Sequence, residues 1–177
     1  LLNSLKKNIV KIPDSSEGNF VIKYFPNWSI PYLHLSRADR PTGTWLLLLP
    51  CLFGILLAYV EKNNLSVSFY EIWLLIACTI GAFLMRGAGC TWNDILDKDY
   101  DAKVKRTQNR PIPSGQVTIR RAIYWMIVQS LLAFIILLTF NKFSILVACL
   151  SLLLVTIYPL AKRFTWWPQI FLGLAFN

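Results

Sequence analysis

The stretch IWLLIACTIGAFLM (residues 72–85), then Arg86, then GAGCTWNDILDKDYD (87–101), decides how this chain is read. Fourteen residues without a charge run into one arginine, resume to Asn93, and end in a burst of carboxylates. Three further stretches lack any Asp, Glu, Lys or Arg: Pro41–Val60, Ala122–Asn141 and Phe143–Ala161. Each is close to the ~20 residues a helix needs to cross a bilayer. A last uncharged run begins at Phe164. The chain is 55% hydrophobic and 15% charged, against about 25% charged in average soluble domains. The expected fold class is therefore all-α: a polytopic transmembrane helix bundle with four complete helices and the start of a fifth. The expected spans are Thr42–Val60, Tyr70 to the Asp cluster, Thr118–Phe140, Phe143–Lys162, and a fifth helix from near Trp166. Aromatic residues recur at their ends, as at membrane–water boundaries.

Outside the spans, residues 1–30 read as a polar, irregular N-terminal segment, with Trp28 to His34 as an interfacial approach. Residues 31–177 form the membrane domain. The absence of an initial Met and the open last run point to part of a longer protein. No apolar run precedes residue 42, which speaks against a signal peptide. Asp14 and Glu17 speak against a mitochondrial presequence, which is poor in acids. The expected location is a bacterial plasma membrane, with a mitochondrial inner membrane as the alternative.

The net charge of +9 does not indicate nucleic acid, because its placement follows the predicted topology. Lys6, Lys7, Lys11, Lys23, Arg37 and Arg40 precede the first span. Lys98, Lys103, Lys105, Arg106, Arg110, Arg120 and Arg121 lie between the second and third, and Lys162 and Arg163 end the fourth. Only Lys62 and Lys142 fall on the other side. Such asymmetry places the N-terminus and the Asp-rich loop in the cytoplasm or its equivalent. Cys51, Cys78, Cys90 and Cys149 all sit in apolar runs without C-x-x-C spacing, and His34 is the only histidine. Neither zinc nor a disulfide framework is indicated.

At about 100° per residue, Asp94, Asp97, Asp101 and Asn93 share one helix face about 100° wide. Asp99 points away. Cys90, Arg86 and Gly87 continue that face upward, and Arg86 lies roughly 10 Å deeper than Asn93. The register past Asp97 depends on whether the helix continues. Carboxylates alone repel a diphosphate, whereas carboxylates with Mg²⁺ between them attract it, since that ion prefers oxygen ligands shared with substrate phosphates. Asn93 adds a neutral oxygen or a donor. Merely solvated acids at a helix end are the plainer alternative. An EF-hand does not fit, because Ala102 and Gln108 stand where Gly and Glu are required.

Arg86 is an ionisable group within a span, which usually marks function, although an arginine can snorkel to the interface. Arg106 and Arg110, in a loop fixed by Pro111 and Pro113, suit bidentate contacts to phosphate oxygens. Tyr158 and Lys162, four apart, share a helix face, and Pro159 between them is tolerated in a membrane helix.

These motifs resemble the UbiA superfamily of membrane prenyltransferases. NDILDKDYD (93–101) looks like its first Asp-rich motif, NDxxDxxxD, and YPLAK (158–162) like its YxxxK element. RADRPTG (37–43), KRTQNRPIPSG (105–115) and YPLAKRFTWWPQ (158–169) look most like the branch whose acceptor is 4-hydroxybenzoate, in ubiquinone biosynthesis. The resemblance runs from about residue 30 to the end. It implies about nine transmembrane helices around a cavity open to lipid. It implies Mg²⁺ and diphosphate at Asn93, Asp94, Asp97 and Asp101, and diphosphate contacts from Tyr158 and Lys162. Arg40 and Arg86 would aid binding of the aromatic acid or diphosphate. An allylic polyprenyl diphosphate would ionise and its carbocation would be captured by the ring. The family's second motif, DxxxD on its sixth helix, lies beyond residue 177, so the isolated 177-residue chain is expected to be inactive. Branches making haem O, tocopherol and plastoquinone precursors or lipids are alternatives, as is a cation-binding membrane transporter. A transport site belongs near the midplane.

Overall fold

A computed structural model describes residues 20–62 and 66–161, together with 166, 167, 170 and 173. Among these residues all regular structure is helical: α1 Phe20–Tyr24, α2 Ile30–Leu35, α3 Thr42–Glu61, α4 Phe69–Leu96, α5 Lys98–Asp101, α6 Ile119–Leu137 and α7 Lys142–Ala161. Three of them, α3, α4 and α6, are long and apolar enough to cross a membrane. The fourth, α7, has 20 residues and carries no charge after Lys142. The fifth helix expected near Trp166 lies almost wholly outside the described residues.

Helix α4 is the central element and packs against α3, α6 and α7. Its buried positions are small or polar: Ala77, Ala82, Gly87, Ala88, Thr91 and Asp94. Ala122 and Ala133 are buried on α6, and Gly43 on α3. Small residues let backbones approach closely where lipid supplies no hydrophobic drive between helices. The large apolar side chains point outward instead, among them Leu46, Phe53, Leu57, Leu131 and Ile135. That inversion of a soluble core is the arrangement a bilayer rewards.

Local signals set the helix ends. Ser68 at the start of α4 is extended, and its backbone N–H donates to the Glu71 carboxylate. Lys62 Nζ donates to Glu71 Oε1 at 2.8 Å. Thr118 caps α6 by accepting from Arg121 N–H at 3.4 Å. Helix α6 stops at Leu137 rather than Phe140. Thr139 Oγ1 donates to the Ile136 carbonyl at 2.7 Å and accepts from Trp73 Nε1 at 2.9 Å. This local bonding competes with the helix ladder.

Two expectations change near the N-terminus. Residues 20–24, expected to be irregular, form the helical turn α1, and Val21 is fully buried with Ile30 and Ala38. The approach segment is itself helical, and His34, Leu35 and Ser36 at its end are buried beside α6. The loop 102–118 is equally well packed. Pro111, Ile112 and Val117 are buried, the last two in one cluster with Leu35 and Ala122. Gly115 takes φ 76°, a conformation that lacks penalty only for glycine.

Candidate functional site

Asp94 stands two residues before Leu96, where α4 ends. It is completely buried, and an isolated buried carboxylate is very unfavourable. Two guanidinium groups offset that cost. Arg37 Nη2 donates to Asp94 Oδ1 at 2.7 Å, and Arg110 Nη1 approaches the same oxygen at 3.4 Å. Arg110 Nη1 also donates to Asp101 Oδ2 at 2.7 Å. Asp94 Oδ2 is buried and has no hydrogen-bond partner among the described residues.

The chain reaches this geometry by breaking α4. Asp97 sits between α4 and α5 with φ −89° and ψ 6°, a bridge-region conformation found at turns and active sites. Asp97 N–H still bonds the Asn93 carbonyl at 2.9 Å. The continuous helix behind the face shared by Asp94 and Asp101 is thus interrupted at Asp97. The two aspartates are nevertheless united through Arg110. Asp99 is exposed, as expected. Arg110 is aimed by its own loop: Thr107 Oγ1 donates to the Asp101 carbonyl at 2.9 Å, and Ser114 Oγ to the Arg110 carbonyl at 2.6 Å.

Arg86 lies deeper in α4, against α3. A Cβ added at Gly43 would collide with its guanidinium. Its Nε is buried without a hydrogen-bond partner among the described residues. Arg40 pairs instead with Asp39, Nε to Oδ2 at 3.2 Å. His34 Nδ1 stands 3.7 Å from Asp39 Oδ1. Burial alone would raise the Asp39 carboxyl, but His34 and Arg40 outweigh it and hold the carboxyl below its ordinary value. Arg106 is exposed. Tyr158 belongs to α7, but its side chain and Lys162 lie outside the described residues, so the expected second wall is not placed.

Two parts of the site went unnoticed in the sequence. Arg37 figures in the sequence as positive-inside charge and as the first residue of RADRPTG (37–43), without a role in the site, although it stands three residues from Arg40 at the mouth of the first span. Below Asp94, Ser36 accepts from Trp125 Nε1 at 2.8 Å and from Gln129 Nε2 at 3.0 Å. Gln129 is buried and its Oε1 has no hydrogen-bond partner among the described residues. Ala122, Trp125, Gln129 and Ala133 recur at helical spacing in an uncharged run, and that stripe was the available signal.

Among the described residues no three His, Cys, Asp or Glu side chains gather closely enough to cage a metal. Mg²⁺ seldom needs such a cage, being bound by one or two carboxylates plus substrate phosphates. The orphaned Asp94 Oδ2, on a carboxylate that shares Arg110 with Asp101, is an oxygen donor of the kind that mode uses.

No solved structure matches this chain. It is 47% identical over 165 residues to the mitochondrial 4-hydroxybenzoate polyprenyltransferase of Bos taurus, covering 93% of this chain and 43% of the relative. The Caenorhabditis elegans protein of the same name is 46% identical, covering 98% and 47%. The Arabidopsis thaliana one is 47% identical, covering 91% and 38%. The chain thus spans less than half the length of these curated relatives. Its residues 47–177 match the model of the UbiA prenyltransferase family, and the chain belongs to that family.

Proposed function

We propose that the protein transfers a polyprenyl group from an allylic polyprenyl diphosphate to the ring of 4-hydroxybenzoate, in ubiquinone biosynthesis. The observation that carries this is the Arg37–Asp94–Arg110–Asp101 cluster at the end of a membrane-spanning helix, in a chain of this family. The names of the relatives support the acceptor and the donor class.

Asp94, Asp97 and Asp101, with Asn93, would hold Mg²⁺. Bound there, the ion would neutralise the charge developing on the departing diphosphate. The chain's own contribution is positional. Arg110, set by the Pro111 loop, offers donors suited to phosphate oxygens. Arg86, packed on Gly43, and Arg40 are proposed to hold the acceptor's carboxylate or the diphosphate. Tyr158 and Lys162 are proposed to contact the diphosphate from α7. The apolar outer faces of the helices suit a long isoprenoid in lipid. A transported cation is less well served, since Asp94 is near a helix end rather than at its middle.

The relatives' names favour a mitochondrial location over a bacterial plasma membrane, and we place the protein in the inner membrane. The decisive assay uses the protein at its natural full length, with Mg²⁺, 4-hydroxybenzoate and a polyprenyl diphosphate. Metal-assisted charge stabilisation is worth several kcal/mol. Asp94→Asn and Asp97→Asn are therefore each expected to lower product formation about a hundredfold or more. Full activity in both variants would remove the metal assignment. Failure to prenylate 4-hydroxybenzoate, with another aromatic acceptor accepted, would move the protein to a different branch.

A further inference from the structure

Among the described residues Arg37 is the one non-glycine residue with a positive φ, at 53°. That region disfavours any residue with a Cβ, and Asn or Asp would be the usual side chains to enter it. The turn is held there from both sides. Arg37 N–H bonds the His34 carbonyl at 3.1 Å, Ala38 N–H the Leu33 carbonyl at 3.0 Å, and Arg40 N–H the Arg37 carbonyl at 3.0 Å. Ser36 and Ala38 on either side are buried. The first two bonds are those of the Schellman turn that closes α2, with Arg37 in the left-handed position where glycine is usual, and they fix where its side chain leaves the backbone.

The turn delivers a guanidinium to Asp94 across 57 positions of sequence. Arg37 and Arg110 both engage Oδ1, while Oδ2 of the same carboxylate has no hydrogen-bond partner among the described residues. We propose that Arg37 is a positioning residue, which occupies Asp94 Oδ1 and so presents Oδ2 alone to the divalent cation that accompanies the diphosphate. The proposal rests on the metal reading of Asp94 given above. It differs from a purely structural role, in which Arg37 would only neutralise a buried charge. It differs also from direct contact between Arg37 and the diphosphate.

The test is Mn²⁺ binding, followed by the loss of the free-ion electron paramagnetic resonance signal, in full-length protein in nanodiscs without substrate. Two variants serve. Arg37→Gly removes the guanidinium and suits the positive φ, and Arg37→Lys keeps the counter-charge that a folded Asp94 needs. Outer-shell partners of a metal ligand typically set affinity by about 10–100-fold. Arg37→Gly is expected to weaken Mn²⁺ binding by that factor, and Arg37→Lys by about tenfold. If Arg37→Gly does not fold, Arg37→Lys decides alone. Unchanged Mn²⁺ affinity in the folded variants overturns the proposal, including the case where only KM for the prenyl diphosphate rises. No protein-bound Mn²⁺ in the unmodified protein, either alone or with inorganic diphosphate added, instead overturns the metal reading, and this proposal falls with it.

Discussion

Asp39 carries a charge that its surroundings both oppose and support. Burial acts to raise its carboxyl, while His34 and Arg40 together bring it below its ordinary value of 3.8. A carboxyl lowered in the folded state stabilises the fold fully above its unfolded value. That contribution is lost as the pH falls through the lowered folded value. The stability advantage of the native protein over Asp39→Asn is therefore expected to shrink as the pH falls below about 4. Thermal unfolding followed below about pH 5 checks it, and an advantage that grows below about pH 4 would contradict the assignment. At this scale the sequence singled out Asp94, Asp101 and Arg110 separately, and the structure joins them through the Arg110 guanidinium, because close spacing and one intervening loop confine them. The sequence could not name Arg37 as their partner. A contact across 57 positions leaves no local trace, and topology alone accounted for the charge.

Helix α4 shows why the elements were legible and their fine contacts were not. Uncharged runs fixed the spans to within one to three residues at the described ends, because a charge in hydrocarbon is expensive. The break at Asp97 was beyond that rule. It goes with the loop that follows, where Pro111 and Val117 are buried and Arg110 reaches back to Asp101. Close helix approach was likewise unreadable, since Gly43 and Gly87 look alike in sequence and meet different neighbours. At Gly43 the obstacle to a Cβ is the end of the Arg86 side chain, which can swing away. At Gly87 it is the Gln129 amide, pinned by Ser36, and Ser36 Cβ at 3.0 Å. Gly43→Ala is therefore expected to keep its unfolding temperature but lose prenyl transfer, through a displaced Arg86. Gly87→Ala is expected to destabilise by about 1–3 kcal/mol through overpacking, offset in part by the better helix propensity of alanine. Unfolding in detergent, beside turnover, separates the two, and equal losses of stability would deny the distinction.

The molecule as a whole is built around a helix too long for its membrane. The 28 residues of α4 span about 42 Å at 1.5 Å per residue, against a hydrocarbon core of about 30 Å. If Phe69 begins at one interface, about 20 residues exhaust the core near Ala88. Arg86 then lies at the inner edge of the hydrocarbon, and Asn93 and Asp94 lie in the headgroup zone beyond. That placement suits a substrate with one end in lipid and the other among cations. It requires the two ends of α4 to face opposite compartments, with the Asp-rich end on the basic side. Val67 and Lys103 are exposed just beyond those ends, which makes them the reporters. With Cys51, Cys78, Cys90 and Cys149 replaced by alanine, Val67→Cys and Lys103→Cys are expected to react with a membrane-impermeant maleimide from opposite sides of sealed, oriented vesicles. Lys103→Cys is expected on the side that also exposes the N-terminal segment. Labelling of both from one side would place Asp94 on the same surface as Ser68, and α4 could then not span the bilayer.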